Sequence, residues 1–214
     1  MNLKIFSVVA LGLLSTASAF AAPVTLDFEG ATSFYSVDGF YNGGTDAAGV
    51  TGTNYGISFT GDAVALSNDG TGSGTNGEFF THAPSPGTIM TPVGADAVLN
   101  SNDGFTDLVS FYYSTNADTT VTVYDALNAT GSVLYTFNLL ANATSGCSDS
   151  AFCHWESAST QLTSLAHSIQ FGAAANVAGF DNVSVAPVPV PGAVWLLLSG
   201  LGSLGVIGRR KKVA

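Results

Sequence analysis

Between residues 24 and 185, apolar side chains recur at every second position in short runs, the spacing of half-buried strands rather than helices. Val24-Thr-Leu-Asp-Phe-Glu29 sets Leu26 and Phe28 on one face and Asp27 and Glu29 on the other. Gly56-Ile-Ser-Phe-Thr60 and Asp62-Ala-Val-Ala-Leu66 predict a hairpin turning at Gly61. Leu108–Tyr113 and Thr119–Tyr124 are dense in β-branched and aromatic residues and give the clearest strands. Ser132–Leu139, after the Ala129-Thr-Gly131 turn, and then Ala151–Trp155, His167–Phe171 and Ala178–Val185 complete the series. Many short strands separated by Gly, Asn, Asp, Ser and Thr predict an all-β fold: a jelly-roll-like β-sandwich in a single domain over residues 22–186.

Two stretches break the alternation. Residues 41–54 and 68–77 are rich in glycine and polar residues and too long for hairpin turns, which predicts surface loops. No internal repeat of fixed period is present.

The ends differ in kind. Residues 1–21 carry Lys4, an apolar run from Ile5 to Leu14 that is too short to span a bilayer, and a small-residue exit with Ala19 and Ala21. That order is a signal peptide with cleavage after Ala21, so the chain is expected to leave the cytoplasm by the Sec route. Residues 187–214 begin with a proline-rich stalk, continue through an apolar stretch over 192–208 and end on Arg209-Arg-Lys-Lys212. As a helix, 192–208 would be roughly 25 Å long, a little short of a bilayer core. Trp195 suits an interfacial anchor, and Arg209, Arg210, Lys211 and Lys212 a cytoplasmic stop.

Charge sharpens the picture of the body. All five lysines and arginines lie outside it, at Lys4 and in 209–212, and all 15 acids lie inside, giving it a formal charge of −15 with histidines neutral. Such a surface repels nucleic acid and anionic polysaccharide. Neutral glycans, cationic surfaces and divalent cations remain as partners. Cys147 and Cys153, the chain's two cysteines, predict one disulfide in an exported protein. Zinc is the poorer use of them, since Cys147, Cys153 and His154 leave a site one ligand short.

Candidate chemistry is sparse. No nucleophile elbow, zinc-protease motif or phosphate loop occurs, and His82, His154 and His167 have no basic partners, so the expected class is non-enzymatic. A glycan hydrolase using two of the acids is the weakest reading. Calcium is the better chemical proposal, because it takes carboxylate, amide and carbonyl oxygens. Asp27 and Glu29 on the first strand and Asp181 and Asn182 on the last offer such donors if the two strands pair. Phe34, Tyr35, Phe40, Tyr41, Tyr55, Phe79 and Phe80 either form a sugar-stacking platform or fill the core beneath the loops, the latter being the expectation.

Pro187, Pro189, Pro191 and Gly192, then Ala193-Val-Trp-Leu-Leu-Leu, a glycine-laced apolar run and the terminal Arg-Arg-Lys-Lys, resemble the PEP-CTERM sorting tails of Gram-negative bacteria. The family's Pro-Glu-Pro stands here as Pro189-Val-Pro191. The resemblance implies an exosortase-type membrane transpeptidase as partner and cleavage near the Pro-x-Pro motif. It further implies anchoring in the inner membrane through the C-terminal helix before processing, then display at the cell surface or in the extracellular matrix. Members of the family accompany polysaccharide, biofilm or floc matrix. The expected role is therefore structural or adhesive, with a carbohydrate-binding module as the alternative.

Overall fold

The structure, a computed structural model, describes residues 22–68 and 79–188. The expected signal peptide over 1–21 and most of the tail lie outside them, including Pro189, Pro191, Gly192, Trp195, Arg209, Arg210, Lys211, Lys212 and the apolar stretch 192–208. Among the described residues no helix is long and apolar enough to cross a membrane.

The described residues form nine strands: β1 (Val24–Leu26), β2 (Ile57–Phe59), β3 (Ala63–Ser67), β4 (Thr88–Pro92), β5 (Val98–Thr115), β6 (Thr119–Tyr124), β7 (Val133–Leu139), β8 (Glu156–Gln170) and β9 (Ala178–Pro187). All named pairings are antiparallel. The expected all-β sandwich is what the chain forms. Its two layers nevertheless belong to one continuous hydrogen-bonded sheet. β5 and β8 are the reason. The first part of β5 pairs with β2 and with the end of β8, whereas its second part pairs with β9 and with the start of β8. Register shifts at Asn100/Phe105 and Phe105/Asp107 mark where β5 changes layer, and Gly104 and Asp107 supply the positive φ this requires. One layer is thus β3-β4-β9 with β1, then β5 and β8; the other is β2-β5-β8-β6-β7.

Several sequence expectations change. The Gly61 hairpin does not form: β2 pairs with β5 and β3 with β4, so Thr60–Ala63 is a corner between layers. Thr60 is tied across to Val98, whose N–H donates to its hydroxyl at 2.8 Å, and that long-range pairing outcompetes the local one. Residues 151–155 make only an isolated bridge from Phe152 to Phe80. β8 runs well ahead of the alternation seen at 167–171, because its first half is Ser/Thr-rich and faces solvent on one side. Asn102-Asp-Gly104 lies inside β5, where the register against β8 shifts.

The core lies between the layers. Phe111 of β5 meets Phe137 of β7 at 4.8 Å and Phe180 of β9 at 5.5 Å between ring centroids, both edge-on, and Phe171 packs on Phe180 at 4.8 Å. Edge-to-face rings suit the opposed quadrupoles of their faces and rims. A smaller cluster of Phe80, Ile89, Ala143 and Phe152 sits apart, with Trp155 against it and the Cys147–Cys153 disulfide beside Phe152. Phe111→Ala is expected to cost about 3–5 kcal/mol, since it empties the contact between layers; the shift in urea midpoint at unchanged slope measures it.

Candidate functional site

β1 and β9 pair with Val24 opposite Val185 and Leu26 opposite Val183, which brings the first and last strands together as the calcium reading requires. The ladder stops there because Phe28 and Asn182 both turn to positive φ, at 59° and 49°. Against β5, Ser110 faces Ser184 while Tyr112 faces Asp181, so β9 carries one extra residue between them. That bulge at Asn182 turns Asp181 inward, where its side chain is fully buried.

What meets Asp181 is a segment that the alternation did not single out. The Ser85 N–H donates to Asp181 Oδ2 at 2.7 Å, and the Asn182 N–H donates to Oδ1 at 2.7 Å. The Ser85 hydroxyl oxygen lies 2.6 Å from Asp181 Oδ1 and 2.9 Å from the Asp27 carbonyl oxygen. One hydroxyl proton serves one of those acceptors at a time. Two residues on, the Gly87 and Thr88 N–H groups donate to Glu29 Oε1 at 2.7 and 3.0 Å. A Cβ at position 87 would collide with that carboxylate, so the close approach needs glycine. Asp27 Oδ1 accepts the Glu29 N–H at 3.2 Å, and the Tyr41 hydroxyl, itself accepting the Phe28 N–H at 2.7 Å, reaches it at 3.5 Å.

Asp27, Glu29, Asp181 and Asn182 therefore share one node, held by Ser85–Thr88. Their carboxylate oxygens do not converge on a single point. Among the described residues, the one trio of His, Cys, Asp or Glu ligand atoms mutually within 4.8 Å is Cys147, Asp149 and Cys153. Two of those sulfurs are consumed by the disulfide, so that trio offers no thiolate to a metal.

Burial raises the Asp181 carboxyl from 3.8 to about 6, against the lowering effect of the Ser85 and Asn182 hydrogen bonds and with a small push from the Glu29 charge. When protonated, the acid can donate to the Ser85 oxygen and free the Ser85 proton for the Asp27 carbonyl, completing the chain. Burial, with the nearby Asp27 charge, likewise pushes the Tyr41 hydroxyl far up.

Beside the node opens a cleft of about 480 Å³, lined by Thr25, Asp27, Glu29, Tyr41, Tyr55 and the loop 50–53, with Phe40 and Gly30. The loop is fastened by Asp46, which is 2% exposed and accepts N–H bonds from Thr32, Ala48 and Val50 at 2.9, 3.0 and 2.8 Å. Enclosure alone would raise the Asp46 carboxyl; the N–H donors, Thr32 foremost, outweigh it and hold the carboxyl below the usual range.

The aromatic candidates divide. Phe40, Tyr41 and Phe80 are buried, and Tyr55 stacks on Tyr41 at 6.1 Å, the core-filling outcome. Phe34, Tyr35 and Phe79 are exposed, but no ring contact joins them to one another. The histidines sit elsewhere: His82 against Asp149 at 3.2 Å, His154 against Glu156 at 3.4 Å, and His167 Nδ1 on the Ser101 carbonyl at 3.0 Å. Sequence reasoning missed Ser85, Gly87 and Thr88, where Pro84-Ser-Pro-Gly87 signals a turn but not its partner, and Asp46, whose Asp-Ala-Ala-Gly setting was a readable Asx-turn.

Comparison with known proteins bears on the tail. Residues 187–212 match the PEP-CTERM protein-sorting motif, as the resemblance implied. The chain thus carries a sorting motif of exported surface proteins, and it begins on Pro187, the last residue of β9. No curated protein sequence matches the chain. Among solved structures, the K2 cleaved adhesin domain of Lys-gingipain is similar over 77% of this chain and 98% of that one, at 14% identity and a TM-score of 0.46. The CBM22-1–GH10 modules of Clostridium thermocellum xylanase 10B are similar over 74% of this chain and 29% of that one, at 15% identity and a TM-score of 0.33. Both likenesses are remote and carry no argument about what this chain binds.

A carboxyl raised on folding takes up its proton more readily in the native state, so its stabilising contribution is full below pH 3.8 and is lost as pH rises to about 6. In metal-free buffer, Asp181→Asn should remove a loss on the order of 2 kcal/mol between pH 4 and 7. Thermal melts of both proteins across that range check it; parallel pH profiles would contradict the assignment.

Proposed function

We propose that this chain is an exported protein handed to an exosortase-type transpeptidase through residues 187–212, and that its β-sandwich then serves a structural or adhesive role in a polysaccharide matrix. The sorting-motif match carries the reading. The acidic body supports it in a second way. A body with 15 acids and no lysine or arginine stays soluble outside the cell and avoids anionic polymers, which leaves neutral polysaccharide as the matrix partner. The body is a non-catalytic module in this reading, and its chemistry is that of binding and display.

The same reading includes structural calcium at Asp27, Glu29, Asp181 and Asn182. Among the described residues no group donates to Glu29 Oε2 or Asp27 Oδ2, so each has lone pairs to offer a cation, while Asp181 is already bonded through both oxygens. With no cationic side chain in the body, a divalent ion is the available way to offset these charges. The carbohydrate-binding alternative rests on the cleft, where Tyr55, Thr25, Thr51 and Thr53 set a ring beside hydroxyl groups.

Mass spectrometry of protein recovered from the cell surface is expected to show loss of residues 1–21 and of the tail beyond the Pro-x-Pro motif; an intact C-terminus would refute handling by a transpeptidase. Calcium added to EDTA-treated protein should raise the melting temperature, and the shift should shrink in Glu29→Gln. No shift removes the metal. A glycan array run on the same two samples decides between the scaffold and the sugar binder, since saturable, sugar-specific binding that Tyr55→Ala abolishes belongs to the latter alone.

A further inference from the structure

The sandwich has several sheet edges, and the fold covers most of them itself. Along β3, the Phe34 and Val37 N–H groups donate to the Ala65 and Ala63 carbonyls at 2.7 and 2.9 Å, and the Ala65 N–H donates to the Tyr35 carbonyl at 2.9 Å. Along β2, the Ile57 and Phe59 N–H groups donate to the Tyr41 and Asp38 carbonyls at 3.2 and 2.8 Å. β7 has no such cover. It pairs with β6 on one side, and among the described residues no other backbone group bonds to it. A strand paired on one side only leaves a row of N–H and C=O groups open to another strand.

The residues of β7 lack most devices that keep edges apart, the exception being a bulge at its start, where Val133 and Tyr135 face Tyr124 and Val123 of β6. Val-Leu-Tyr-Thr-Phe-Asn-Leu has no charge, no proline and no glycine, and its Val133 and Tyr135 are 56% and 41% exposed. Leu140, directly after it, is 67% exposed. Charge singles out the same region. No charged residue occurs between Asp125 and Asp149, while the remainder of the body is studded with acids that no base offsets. The nearest acids meet the chain just beyond the two ends of β7, where the Ser132 and Ala141 N–H groups donate to Asp125 and Asp118, so the stretch along which a second copy meets no charge is β7 itself.

We propose that β7 is a self-association edge: a second copy lays its own β7 antiparallel on the first, joining two sandwiches about a twofold axis. The pairing satisfies both rows of backbone groups and covers Val133 and Tyr135 with side chains of the second copy's β7. It closes after two copies, so the product is a dimer rather than a fibre. This goes beyond the surface role above and holds whether the body is a scaffold or a glycan binder.

Sedimentation velocity of the full-length chain in a non-ionic detergent, over roughly 1–100 µM, tests it. The expected result is a concentration-dependent dimer that Val133→Glu and Tyr135→Glu each weaken at least tenfold by setting a carboxylate into the apolar seam. Val93→Glu, an exposed apolar site outside β7, should leave it unchanged. A wild-type monomer throughout that range, a dimer that survives both β7 substitutions, or equal loss in Val93→Glu overturns the proposal. Should a β7 variant fail to fold, amide exchange of the wild type decides: protection of Val133–Leu139 that rises with concentration supports the edge pairing, and protection independent of concentration refutes it.

Discussion

Everything in this body depends on two strands that belong to both layers. A body whose described residues form no α-helix must bury its core between sheets, and here β5 and β8 cross from one layer to the other while staying paired with each other. Their bends place Phe111 over Phe137, Phe171 and Phe180, so one aromatic cluster is shared by strands distant in sequence. The same bends leave β9 free to receive β1 on one side and β5 on the other. The acidic node exists because of that arrangement.

The node shows how a body without lysine or arginine handles buried acid. Glu29, Asp46 and Asp181 are met by backbone N–H groups rather than cations. Backbone donors solvate a carboxylate without adding a charge that could be lost to a competing partner. At Asp46 the N–H donors from Thr32, Ala48 and Val50 outweigh enclosure, and the acid ends below its usual range. Where burial is complete, as at Asp181, it ends near neutral pH. The fold uses the same three segments, 27–29, 85–88 and 181–182, to tie its first strand to its last.

Strand type was legible along most of the body, because alternation at Val24–Leu26 and Thr119–Tyr124 reports burial of one face directly. Partners were not. The two runs around Gly61 look like a hairpin, yet they belong to different layers, since a turn signal records local backbone preference and not the long-range pairing that outcompetes it. The first half of β8 escaped notice because its Ser/Thr-rich residues face solvent and carry no apolar period. Within the site, Asp27, Glu29, Asp181 and Asn182 could be named from composition and order, whereas Ser85 and Gly87 could not, being supplied from far along the chain.

The sequence alone determined the fold class, the disulfide between its two cysteines and the sorting motif at 187–212, since each is written in local order or residue type. Tertiary structure alone decided which strands meet, which acid is buried and which edge stays open. Those depend on segments brought together through the bends of β5 and β8, and alternation along one strand does not specify its partner.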